Sequence, residues 1–62
     1  MKYANKEYRG YFSIWACFTG KWEKVDDCNG VDNAMYLANE YQLAYGRDTV
    51  VEIRKHGKRF EV

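Results

Sequence analysis

Residues Arg9 to Phe18, RGYFSIWACF, constrain this chain more than any other stretch. Phe12, Ile14, Ala16 and Phe18 occupy the even positions, and Tyr11, Ser13, Trp15 and Cys17 the odd ones. Successive side chains of a strand point to opposite faces, so this alternation, with few helix formers, predicts a strand carrying large rings on both sides. Thr19-Gly20 follows, then KWEKVDDC, which reads as a second strand returning through a two-residue turn. That turn pairs Phe18 with Lys21, Cys17 with Trp22, Ile14 with Val25 and Tyr11 with Cys28. Ile14 and Val25 then share one face, and Trp15, Cys17 and Trp22 the other. A bulge in this hairpin would turn Trp22 inward.

The segment Asn29-Gly30-Val31-Asp32 reads as a helix start, with Asn29 as the cap and Asp32 at the positive end of the helix dipole. The helix is expected from Gly30 to Tyr45, with Gly46 as its stop. Val31, Ala34, Leu37, Ala38, Tyr41 and Tyr45 form its inward stripe. Met35, Tyr36 and Leu43 are left over. TVVEIRK, His56-Gly57 and KRFEV then form a second hairpin. It pairs Ile53 with Phe60 and Val51 with Val62 inward, and Glu52 with Glu61 and Arg54 with Arg59 on the opposite side. The chain is therefore an α+β fold of order ββαββ. A right-handed crossover through the helix sets strand three beside strand one, giving an antiparallel sheet of order 2-1-3-4 with the helix on one face. The single domain spans 1–62, and residues 1–8, polar and mixed in charge, read as a short arm or a frayed strand start.

Length bounds the function. At 62 residues, size scaling buries only about 61% of the unfolded surface, which leaves no room for a multi-domain enzyme or a deep cofactor pocket. The longest uncharged apolar run, Ile14 to Phe18, is far too short for a membrane span, and no secretory signal opens the chain. A cytoplasmic protein without membrane contact is expected. Net charge of +1 provides no long-range field for polyanions. The register above sets Cys17 and Cys28 about 20 Å apart at about 3.3 Å per residue, so free thiols are expected rather than a disulfide. With one histidine in the chain, a metal site lacks ligands, and no cofactor is expected.

Enzyme templates find no footing. His56 falls in a turn, the neighbouring Asp26 and Asp27 point to opposite faces of a strand, and the five glycines are singly placed. What stands out is the sheet face away from the helix. It carries Tyr11, Trp15, Cys17 and Trp22, with Lys24, Arg54 and Arg59 around them and Asp26, Glu52 and Glu61 among them. Tyr11, Trp15, Trp22, Arg54 and Arg59 are the candidate partner-binding residues. A bland reading has Trp15 or Trp22 folding over a sheet edge, or Tyr3 of the arm covering them. Of two functional readings, the leading one docks this face on another protein, self-association into a homodimer included, because Trp, Tyr and Arg dominate such contacts. The alternative stacks unpaired bases of single-stranded nucleic acid on the rings; the acidic residues and the low net charge weigh against it.

The phrase CNGVDNAMYLANEY, set between two hairpins, resembles the turn-into-helix phrase of small bacterial and phage domains. Over residues 9–62 the chain is similar in size and layout to the small ββαβ or ββαββ accessory proteins of tailed phages, although Asn33 departs from the acidic pair that opens their helix. The resemblance implies a non-enzymatic protein that binds a host protein and inhibits it by surface occlusion in the bacterial cytoplasm. It transfers no individual functional residue.

Overall fold

The computed structural model describes residues 6–61. In chain order it holds a 3-10 turn at Lys6–Tyr8, strands β1 (Tyr11–Phe18) and β2 (Lys21–Asn29), helix α1 (Val31–Tyr45), and strands β3 (Val50–Lys55) and β4 (Lys58–Arg59). The four strands form one antiparallel sheet of order β2-β1-β3-β4, and α1 packs on one side of it. This is the α+β fold and strand order that the alternation and the crossover rule predict.

Two tight turns set the hairpins. Thr19 and Gly20 have φ of 51° and 82°, and His56 and Gly57 have φ of 54° and 77°. Positive φ at both central residues matches the turn twist to that of the flanking strands. Glycine takes this conformation freely, whereas Thr19, β-branched, adopts it under strain.

The even residues of β1 form the heart of the core. Phe12, Ile14 and Ala16 are fully buried, and Val31 and Ala34 of α1 close over the first two. Val25, Leu37, Ala38, Tyr41, Val51 and Ile53 pack around them, half-buried. Tyr45 sits at the margin, its ring edge-on to Phe18 at 5.0 Å and stacked on Tyr41 at 5.7 Å. Phe60 meets Phe12 edge-on at 5.0 Å and Tyr8 at 5.6 Å, so the two ends of the described chain meet beside the core.

Four expectations are corrected. First, β2 carries a bulge opposite Ile14 and Trp15. The pairs Phe18–Lys21 and Cys17–Trp22 form as expected, but beyond the bulge Ile14 pairs with Asp26 and Tyr11 with Asn29 instead of Val25 and Cys28. The extra residue, Val25, joins the core, and every later side chain of β2 changes face. Trp22 lies before the bulge and keeps its outward side. Second, Asn29 does not cap the helix. It ends β2, and its carbonyl accepts a bond from Asn33 Nδ2 at 2.8 Å. Gly30, with φ 88°, takes the cap position, so α1 begins at Val31. Third, β4 is two residues long. Arg54 pairs with Arg59, and the Phe60 N–H donates to the Ile53 carbonyl at 2.8 Å, but the ladder stops before Glu61 reaches Glu52. The proposed pair Val51–Val62 involves a residue outside those described. Fourth, residues 6–8 are not a free arm: they form the 3-10 turn, Tyr8 packs on Phe60, and Lys55 Nζ donates to the carbonyls of Glu7 and Arg9. Residues 1–5, with Tyr3, lie outside the described part.

Candidate functional site

The odd residues of β1 look away from the helix, and the register of both neighbours places their partners beside them. Ser13 lies between Asp27 and Arg54, Trp15 between Lys24 and Glu52, and Cys17 between Trp22 and Val50. Tyr11, Trp15, Trp22 and Arg54, singled out from the sequence, therefore share one face, and Arg59 joins it opposite Arg54.

At its centre the Arg54 guanidinium lies over the Trp15 ring at 4.3 Å and over the Trp22 ring at 5.0 Å. A planar cation over an indole face is attracted by the ring quadrupole, by about 0.5 to 2 kcal/mol depending on desolvation. Arg54 Nε also donates to Glu52 Oε2, and both side chains are largely covered, 19% and 16% exposed. Trp15 is held from beneath: its Nε1 donates to the Ser13 hydroxyl at 2.9 Å, and that hydroxyl reaches the Arg54 carbonyl at 3.4 Å. Ser13 is the one buried polar residue among those described, and it ties β1, β3 and the indole together.

A second group borders the first. Lys24 Nζ donates to the Tyr11 hydroxyl at 3.0 Å, and that hydroxyl donates to Asp27 Oδ2 at 3.2 Å. Lys24 and Asp27 also pair directly at 3.2 Å. These bonds from Tyr11 and Asp27 hold the Lys24 ammonium above its ordinary range, fully protonated at neutral pH. At the far rim Arg59 Nη2 meets Glu61 Oε1 at 3.5 Å, with both side chains mostly exposed.

The bulge changes the charge pattern of this face. Asp26, expected here, turns toward α1, where Tyr41 donates to its Oδ2 at 2.8 Å. Asp27 takes its place, beside Tyr11 and Lys24. The outcome is a face on which each of the three cations has its own carboxylate: Lys24 with Asp27, Arg54 with Glu52, Arg59 with Glu61. Above these pairs stand the rings, Tyr11 50% and Trp22 37% exposed.

The two cysteines lie on opposite faces. Cys17 stands opposite Trp22 on the outer side and Cys28 opposite Phe12 on the helix side, and both are free thiols. Burial, then the charges of Asp26 and Asp27, pushes the Cys28 thiol above its ordinary value. His56 sits exposed in the β3–β4 turn. No helix among the described residues is long and apolar enough to cross a membrane.

No family model matches this chain, and no curated protein and no solved structure shows a significant match to it.

Two features of the face were missed in the sequence. The Glu52–Arg54 pair had a signal, since residues two apart on a strand share a side. Ser13 had one as well: a lone hydroxyl in an otherwise apolar and aromatic strand needs a partner when buried.

Proposed function

We propose that this chain is a non-enzymatic binding protein that docks on another protein through the outer face of its sheet. The observation that carries this reading is the Trp15–Arg54–Trp22 layer. Its rings are fixed before any partner arrives, by the guanidinium they lean on and by the Ser13 hydroxyl. Rigid aromatic side chains lose little conformational freedom on binding, which is why Trp and Tyr dominate protein contacts. Trp22 and Tyr11 supply the exposed contact area, Arg54 positions the indoles, and Arg59 lies at the rim.

The charge pairing favours a protein over a nucleic acid. Phosphate binding gains from releasing counterions by unpaired cations, and each cation of this face is already matched by a carboxylate. The form of the activity we favour is stoichiometric occlusion of a host protein, as the resemblance to phage accessory proteins implies, in the bacterial cytoplasm.

The test is affinity capture from bacterial lysate by the tagged chain and by its Trp22→Ala variant, each with and without nuclease. A stoichiometric protein band that survives nuclease and is lost with Trp22→Ala is expected. Capture that disappears with nuclease would replace this reading with the nucleic-acid one. Capture unaffected by Trp22→Ala would remove the sheet face from the account.

A further inference from the structure

The far side of the molecule poses a separate question. The two most exposed large apolar side chains among those described are Leu43, at 73%, and Tyr36, at 64%. Both project from α1, and they are seven residues apart. With 3.6 residues per turn, Asp32, Tyr36, Asn39 and Leu43 fall at spacings of four, three and four, a single stripe along the outward side of the helix. The inward stripe of Ala34, Leu37, Ala38 and Tyr41 lies on the other side, against the sheet. At the C-terminal end of the outward stripe, Leu43 borders an open hollow lined also by Gln42, Gly46, Arg47 and Thr49.

We infer that this stripe is the contact of a two-fold homodimer in which α1 packs antiparallel against α1 of a second copy. The occupant is identified by self-complementarity. A two-fold axis beside Asn39 and Glu40 brings Tyr36 of one copy opposite Leu43 of the other. Tyr36 of each copy then lies on Leu43 of the other, with its ring over the hollow beside Gln42 and Arg47. Asp32 at the start of one helix meets Arg47 past the end of the other. Neither residue makes an ion pair among the described residues. Opposite charges meet at both ends, the Tyr36–Leu43 contacts lie inside them, and the polar Asn39 and Glu40 flank the axis, an arrangement that is self-complementary as an isologous contact requires. Antiparallel packing also sets each positive helix end beside the negative end of its neighbour.

The size of the domain supports the same conclusion. Among the described residues the fully buried apolar side chains are Phe12, Ile14, Ala16, Val31 and Ala34, and the cysteines are unpaired. Chains of this length commonly add a covalent staple or a second subunit to so small a core. Helix α1 spans about 22 Å at 1.5 Å per residue, so the contact falls in the small, reversible class of interfaces. The inference is independent of the docking face, which remains open on the opposite side of each subunit.

Sedimentation at low micromolar and near-millimolar concentration tests it. The wild-type mass should rise with concentration from 7.4 kDa toward twice that value. Leu43→Glu, at an exposed position that folding does not require, should weaken the dimer by at least about tenfold. Asp32→Arg alone and Arg47→Asp alone should each weaken self-association, because like charges then meet at both ends. An equal mixture of those two variants should dimerise again, since each supplies the charge the other needs. Trp22→Ala should dimerise like the wild type. A monomer at both concentrations would overturn the inference, and so would a dimer that survives Leu43→Glu or a mixture that stays monomeric. Loss of the dimer in Trp22→Ala would move the contact to the sheet face.

Discussion

The Trp15 indole donates its N–H to the hydroxyl of Ser13, two residues earlier on the same face of β1, at 2.9 Å. The bond explains a buried hydroxyl in the central strand and fixes the ring that carries Arg54. Ser13→Ala removes the acceptor and leaves the half-buried indole N–H without it. A loss of roughly 1 to 2 kcal/mol is expected, read as a lower denaturation midpoint, together with a red shift of tryptophan emission as the ring loosens. Unchanged stability and emission would show that Ser13 does not hold Trp15.

The β1–β2 turn contains a removable strain. Thr19 has φ of 51°, which a β-branched residue adopts at a cost of about 1 kcal/mol or more. Thr19→Asn should raise stability by roughly 0.5 to 1 kcal/mol, since asparagine tolerates this conformation and Asn-Gly is the preferred pair for such a turn. Thermal unfolding of the two proteins decides it.

The bulge at Val25 creates a bond that titrates. Tyr41 donates to Asp26 Oδ2 at 2.8 Å, and this bond, with burial and the Asp26 charge, raises the Tyr41 hydroxyl above its ordinary value of 10.0. The fold therefore favours the neutral phenol. The stabilisation is complete below pH 10 and is lost as pH climbs through the raised value. Tyr41→Phe should be less stable than wild type at neutral pH, and the gap should narrow in strongly alkaline solution. A gap independent of pH would contradict the assignment.

The thiols provide a check on register. With Cys17 on the outer face and Cys28 on the inner, five positions apart along β1, mild oxidation should yield no intrachain disulfide. Cys28, its thiol raised by burial, should alkylate slowly in the native protein at neutral pH and rapidly in denaturant. Peptide mass mapping distinguishes the two sites.

Most of the architecture is legible in the sequence because strong local signals bound each element. Thr19-Gly20 and His56-Gly57 mark both hairpins, Gly46 ends the helix, and the handedness of the crossover fixes the strand order. The bulge has no comparable mark. Val25 fits an alternating strand as well as a bulged one, and the preference for turning it into the core emerges only when helix and sheet pack. From that one residue follow the exchange of Asp26 for Asp27 on the outer face and the shifted partners of Ile14 and Tyr11. The cap at Asn29 fails for a related reason: pairing with Tyr11 keeps Asn29 in β2. The aromatic face itself lies mainly on β1 and the early part of β2, before the bulge, so period-two counting locates Tyr11, Trp15 and Trp22 correctly. The matching of each cation with a carboxylate depends on the final register and emerges only with it.

We propose the Trp15–Arg54–Trp22 layer as a protein-docking surface. Titration calorimetry of the captured partner against wild type and Trp22→Ala, at low and at moderately high salt, tests it most directly. An affinity loss of at least about tenfold in the variant, with little salt dependence in the wild type, is expected of an aromatic contact whose charges are internally paired. Equal affinities for the two proteins, or wild-type binding that collapses with added salt, would contradict it.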